Sequence, residues 1–349
     1  MFGGERLKVA IGLSGGVDSA VAAHLLLEDG HEVTGIIMRL KPGDSSSDDI
    51  ADAKAVAKHL GIELKVLDLR DEFREKIVLP FCGEYANGRT PNPCIECNAL
   101  IKFGAMLNYA LESGCDRIAT GHYAGITADN GLYQLNKTDS PKDQSYFLYR
   151  LNQFQLSHIV FPIDSMTKQD TRRIAAQAGI PVAVKKDSLE ICFVPDNNYH
   201  GFLSSMGITS EPGNIIGTNG EILGKHNGIT GFTVGQRKGL GAYGKPMFVT
   251  SINATDNTVT IGEEGSQYSC GLTADRPSFI SGSIPSEPFR AKVKIRYRAI
   301  EQPCLITPFE NGFRVDFDEP QRSVSPGQSA VIYDGNTVIG GGRIIKQIN

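Results

Sequence analysis

One stretch constrains this chain more than any other: Gly12-Leu13-Ser14-Gly15-Gly16-Val17-Asp18-Ser19, which joins a strand pattern to a helix pattern. The residues before it, Leu7-Lys8-Val9-Ala10-Ile11, are apolar apart from Lys8 and β-branched at Val9 and Ile11, as in a buried strand. From Asp18 to Glu28 the pattern is helical, with Gly30 as a stop. Between them, glycines let the backbone come close to a ligand, and the first helical amides point outward without intrahelical partners. Such a turn cradles an anion, and phosphate is its usual guest. No Gly-Lys-Ser/Thr is present, so a lysine gripping β- and γ-phosphates is not part of the device.

The chain, at 349 residues, is long enough for two or three domains with a substantial core. Its 40% hydrophobic and 21% charged content is that of a soluble globular protein. No run approaches the roughly 18 apolar residues of a membrane span. Residues 1–6 lack a signal peptide's apolar core, so the expectation is a cytoplasmic protein with no membrane partner. Seven cysteines are an odd number and too few for a disulfide framework; in a reducing compartment they are buried, metal-binding or catalytic. A net charge of −4 argues against a nucleic-acid binder as a whole, so any such contact must use a local patch.

The first 204 residues alternate strand and helix patterns. Strands are expected at 31–40, 63–69 and 116–120, and helices at 50–60, 73–85, 99–111 and 167–178, the last capped by Thr167. A polar, Ser-rich mobile loop is expected at 41–49 and a short hairpin arm at 133–139. This order signals an α/β domain built on a parallel sheet, where ligands sit at the carboxyl ends of strands. The Gly12–Ser19 turn lies at such an end.

Between the second and third of those helices, Pro91 and Pro93 stiffen the chain and keep it out of a helix, which presents Cys94 and Cys97 at the start of the helix expected at 99–111. A helix N-terminus lowers a thiol's pKa, which suits Cys97 to act as a thiolate. The competing reading is half a structural zinc site, although no second Cys-x-x-Cys or zinc-finger His pair completes it. His122 follows a strand end with Gly121 and Tyr123; a histidine there is more often a structural hydrogen-bonder than a catalyst. Lys142 lies in a polar turn, solvated or neutralising a phosphate. Cys192 sits in an apolar run and reads, alone, as a buried inert thiol.

After about residue 205 helical periodicity stops and short β-branched runs alternate with glycine and Asn/Asp turns, the texture of small β-barrels. The expected division is 1–204, 205–270 and 271–349. One run stands out: Arg290-Ala291-Lys292-Val293-Lys294-Ile295-Arg296-Tyr297-Arg298 has a cation at every even position. At strand periodicity five cations share one face and the odd positions pack inward. A solvated face usually mixes signs, so a nucleic-acid backbone is the favoured partner.

The turn at Gly12–Ser19 resembles the PP-loop of ATP pyrophosphatases, which cleave ATP between its α- and β-phosphates. Further strings extend the likeness over nearly the whole chain: 88–93, Cys97-Asn98, 119–123, 142–148, 191–193, 235–241 and 325–330. Together they resemble the bacterial tRNA-specific 2-thiouridylase family. That resemblance implies a parallel-sheet nucleotide-hydrolase-like domain, a small central β-rich domain and a C-terminal β-barrel that contacts tRNA. It implies ATP and Mg²⁺, with Gly12–Ser19, Met38 and Gly121 binding ATP. It implies Cys97 and Cys192 as catalytic thiols, Cys192 carrying a persulfide delivered by a cysteine desulfurase or relay protein. Asn92, Pro93 and Cys94 would line the target base, while His122, Lys142, Asp143, Gln144, Arg296, Tyr297 and Gln328 would touch a tRNA with a wobble uridine. Many members have aspartate where this chain has Cys94, which opens an alternative: Cys94, Cys97 and Cys192 as ligands of a four-iron four-sulfur cluster holding sulfide. Arg296 and Tyr297 are adjacent, so both can meet RNA only if the strand ends or bulges there. A different PP-loop synthetase, needing no cysteine pair, and a non-catalytic RNA-binding protein are the competing functions.

Overall fold

Strand β1 (Lys8–Gly12) is the middle of a five-stranded, wholly parallel sheet. On one side lie β2 (Glu32–Arg39) and β3 (Glu63–Asp68), on the other β4 (Arg117–Ala119) and a last short strand, Ile159–Val160. This computed structural model describes residues 6–42, 47–186 and 191–349. The apolar run of β1 is explained by cover on both faces. Val9 and Ile11 pack with α1 (Val17–Glu28) and α2 (Ser47–Leu60), while Ala10 points the other way onto Phe103, Met106 and Leu107. Chain order reverses between β1 and β4, so their carboxyl ends form the crevice where such sheets bind ligands.

Several expectations shift. The helix expected at 99–111 begins at Pro93 and runs to 112: the ring occupies the first helical position, where a missing N–H costs nothing. Its middle, Cys97–Met106, is wound as a π-helix. The arm expected at 133–139 is a hairpin of β5 (Gly125–Asp129) and β6 (Leu132–Asn136). Part of the Ser-rich loop, 43–46, lies outside the described residues. The helix Lys168–Gln177 has Thr167 as its cap, in a reciprocal capping box with Asp170.

The rest is β. Four strands, Gly213–Gly217, Ile222–His226, Met247–Asn253 and Thr258–Glu263, form the central sheet. Six more close a barrel, because the strand Tyr268–Phe279 pairs with both Gly312–Arg322 and Thr337–Ile348. That strand runs across residue 270, where the sequence places a boundary. The hairpin of the first domain extends the same sheet, β6 pairing Leu135 with Val338. Val331, Tyr333 and Val338 of the barrel share a core cluster with Ala10 and Ile36 of the parallel sheet. The two domains therefore meet through apolar packing. Among the described residues no helix is long and apolar enough to cross a membrane.

Candidate active site

The turn after β1 is held by its own hydroxyls. Ser14 N–H donates to Ser19 Oγ (3.2 Å), and Ser19 Oγ donates to Gly16 O (3.1 Å). Gly15 has φ +72°, and a Cβ there would stand 2.8 Å from Asp49 O. Leu13 is buried, and its N–H donates to Ile36 O (2.8 Å). Among the described residues no side chain caps α1, which starts at Val17 after Gly16. Its first amides keep the outward orientation that suits an anion.

Asp18 is the most heavily bonded residue of the turn. It accepts from Lys168 Nζ (2.8 Å to each oxygen), Tyr123 Oη (2.7 Å) and Thr171 Oγ1 (3.3 Å). Sequence reading missed these three supports, since nothing local marks them. Gly121 has a specific reason to be glycine: a Cβ would sit 2.6 Å from Asp18 C and Ser19 N. What approaches its backbone is thus the turn itself. Met38, near the carboxyl end of β2, is half-buried against the clusters on either side of the cysteine helix.

That helix carries the thiols. Asn92 caps it, its side chain accepting from Cys94 N–H (3.3 Å). Cys97 is buried with Phe81, Ile101, Phe193 and Val194, and Ile191 packs on the same cluster. The residues flanking Cys192 are thereby brought to Cys97, although Cys94 and Cys192 themselves are exposed. All seven cysteines are free thiols. Cys97 lies in the second helical turn, not at the N-terminus, and its expected thiolate character is corrected: burial pushes its pKa up to about 12, with nearby Lys102 pulling against it and Cys192 and Cys94 adding to it. Cys94 and Cys192 keep a face open to solvent but have protein packed around the rest, and that partial desolvation raises their pKa, again opposed by Lys102. Lys102, five residues after Cys97, is therefore common to all three thiols and was not singled out from sequence. Asp49 connects the thiols to the turn, since its carbonyl backs Gly15 and its charge bears on Cys192.

Among the described residues no three Cys, His, Asp or Glu side chains gather as metal ligands. Cys94, Cys97 and Cys192 are not gathered as a ligand set in this arrangement.

The residues expected at tRNA are largely engaged within the protein. His122 is buried between Phe103 and Phe161, with Nδ1 2.7 Å from Thr120 Oγ1 and Nε2 3.5 Å from Lys102 Nζ. Burial, then Lys102, holds its pKa well below the usual value, so the ring is neutral; the Lys102 ammonium can only donate to Nε2, which puts the ring hydrogen on Nδ1, facing Thr120 Oγ1. Asp143 accepts from Thr138 N–H (3.1 Å) and Ser145 Oγ (2.8 Å), and burial raises its pKa. Gln144 is bonded twice to Tyr123, through its amide (2.7 Å) and its side-chain carbonyl (3.1 Å). Lys142 N–H bonds Ser140 Oγ (3.2 Å), its side chain half-buried. Tyr297 packs against Phe147, the ring centroids 4.5 Å apart and the planes tilted by 40°.

The basic stripe is also corrected. Its strand is Phe289–Lys294, so Arg296 and Arg298 lie beyond the end. Arg290 pairs with Asp318. Arg296 Nη2 donates to Val234 O and Ser323 O (2.9 Å each) and to Ser325 Oγ. Gln328 Nε2 donates to Thr90 O (2.7 Å). A cavity of about 280 Å³ lies behind Asn92 and Pro93, lined also by Glu84, Arg150, Arg276 and Arg343. Its lining includes no cysteine and no residue of the Gly12–Ser19 turn.

Comparison with known proteins places this arrangement. Residues 7–196 match the tRNA methyl transferase HUP domain model, 200–263 the corresponding PRC-barrel domain and 269–344 the aminomethyltransferase beta-barrel domain. The tRNA-specific 2-thiouridylase MnmA of Acetivibrio thermocellus is 50% identical over 97% of this chain and 99% of its own. The chain belongs to the tRNA-specific 2-thiouridylase family. Members of this family are tRNA sulfurtransferases of the PP-loop, ATP-utilising type. The 2-thiouridylase of Syntrophotalea carbinolica is 46% identical over 96% of this chain and 98% of its own. Among solved structures, the U34-tRNA thiolase NcsA of Methanococcus maripaludis, with its 4Fe-4S cluster, is 19% identical over 58% of this chain and 64% of its own. Its TM-score of 0.36 is too low to bear on the site.

Proposed function

We propose that this chain uses ATP to replace the C2 oxygen of the wobble uridine of a tRNA with sulfur. The observation that carries this reading is the meeting of an anion-binding turn with three thiols that share one lysine, at one edge of the parallel sheet. Gly12–Ser19 receives the phosphates of ATP, with Met38 and Gly121 beside it. The fit is favourable because the turn's one acid, Asp18, already has its own cation in Lys168. Mg²⁺, carried on phosphate oxygens, supplies further charge neutralisation.

Uridine O2 attacks the α-phosphorus, and pyrophosphate leaves into the turn. The carbonyl oxygen, a poor leaving group until it bears a phosphoryl group, then departs as AMP. Cys192, being exposed, accepts a persulfide sulfur from a sulfur-donor protein, a cysteine desulfurase or relay protein. The terminal sulfur bonds to C2 as the C2–O bond breaks. Cys97, a thiol at rest, next attacks the Cys192 sulfur, its proton passing to solvent as the new S–S bond forms. The S–S bond to the base breaks, its electron pair stays on the thiouridine sulfur, and a Cys97–Cys192 disulfide remains for an external thiol to reduce. Asn92, Pro93 and Cys94 line the target base, and Lys142 and Tyr297 face the tRNA.

The first step is tested by following pyrophosphate. Release is expected only with a tRNA carrying a wobble uridine, and within about threefold of the parent in Cys192→Ser. Equal release without tRNA contradicts the reading.

A further inference from the structure

The segment leading to the cysteine helix is gripped from two other domains at a single residue. Thr90 N–H donates to Pro326 O (2.9 Å), Gln328 Nε2 donates to Thr90 O (2.7 Å), and Thr90 Oγ1 donates to Thr233 Oγ1 (3.2 Å). Its amide, carbonyl and hydroxyl are all satisfied outside the first domain: twice by the barrel, once by the central domain. Glycines make the approach feasible. Gly327 has φ +92°, and a Cβ there would stand 2.8 Å from Thr90 N; Gly88 has φ +68°, and a Cβ would stand 2.6 Å from Ile252 Cγ2.

The gripping turns are themselves fastened. Gly327 N–H donates to Ile344 O (2.8 Å) and Ile344 N–H to Gln328 O (2.8 Å), zipping the barrel turn to the last strand. Arg296 bridges Val234, next to Thr233, and Ser325, next to Pro326. One guanidinium therefore locks together the two turns that hold Thr90. Two residues beyond Thr90, Asn92 caps the helix of Cys94 and Cys97.

We infer that Gln328 and Arg296 are positioning residues, which through Thr90 set the start of the cysteine helix, and hence the seating of Cys94 and Cys97, before any tRNA is bound. The catalytic consequence rests on the thiolation reading; the placement itself belongs to the free protein.

The test uses the full chain with Gln328→Leu, Thr90→Val and, as the conservative control, Thr90→Ser. Iodoacetamide labelling of Cys97 in the free protein is followed by peptide mass spectrometry, beside tRNA affinity and the thiolation kcat. Loss of one such hydrogen bond should speed Cys97 labelling and lower kcat by about fivefold, with tRNA Kd held within about twofold and Thr90→Ser like the parent. Unchanged Cys97 labelling in Gln328→Leu overturns the inference, and a weakened tRNA Kd beside it would make Gln328 a direct tRNA contact. If the parent protein thiolates nothing, the proposed function falls, while labelling and Kd still decide this inference.

Discussion

Lys168 Nζ lies 2.8 Å from each carboxylate oxygen of Asp18, across a separation of 150 residues. Asp18 is in the first turn of α1, where the positive helix end favours an anion. Left alone, its charge would compete with a phosphate for that position. Lys168 cancels it, and Tyr123 and Thr171 hold its orientation. Lys168→Met should leave a carboxylate facing the phosphates and raise the KM for ATP about tenfold, a charge effect of about 1.4 kcal/mol. ATP titrations at fixed tRNA check this; an unchanged KM would assign the pair to stability alone.

Gly121→Ala places a methyl where the backbone of Asp18 and Ser19 already stands. Backbone cannot step aside as a flexible side chain can, so the turn must move. A cost of about 1–3 kcal/mol in stability is expected from such overpacking, with ATP binding lost beyond it. Thermal melts with and without ATP separate the two effects: the parent gains Tm with ATP and the variant does not.

His122 gives a pH signature. Its folded pKa is held well below the ordinary 6.5, so on acidification the unfolded chain takes up a proton that the folded chain refuses. Stability from this group is complete above about pH 6.5 and declines as pH falls below it toward the folded value. His122→Phe keeps an aromatic ring beside Phe103 and Phe161 but cannot titrate, so its Tm should fall less steeply between about pH 7 and pH 5. Parallel slopes in the two proteins would contradict the buried neutral imidazole.

What the sequence made legible was contiguous. The Gly12–Ser19 turn is one string, and its strand, loop and helix could be read without tertiary information. Cys94 and Cys97 were visible for the same reason, but the burial that raises the Cys97 thiol comes from Phe81, Phe193 and Val194, which spacing cannot announce. The Asp18–Lys168 and Gln328–Thr90 pairs span 150 and 238 residues, so no local pattern could reveal them. The basic stripe misled in part: alternation is a strand signal, but it does not say where the strand stops, and this one stops at Lys294. Beyond that point Arg296 turns inward to carbonyl oxygens.

Cys97 and Cys192 should separate the two halves of the reaction. Cys97→Ser and Cys192→Ser are each expected to keep tRNA-dependent pyrophosphate release within about threefold while losing thiolation by about a hundredfold or more, as removal of a nucleophile does. Loss of both activities together would mean that the thiols also build the nucleotide site.

The most direct measurement supplies a wobble-uridine tRNA transcript with ATP and a persulfide source, then identifies nucleosides by mass spectrometry after digestion. The expected result is 2-thiouridine at the wobble position, dependent on ATP and absent with Cys192→Ser. Undiminished 2-thiouridine from Cys192→Ser, or pyrophosphate release with no thiolated base, would contradict sulfur transfer through this thiol.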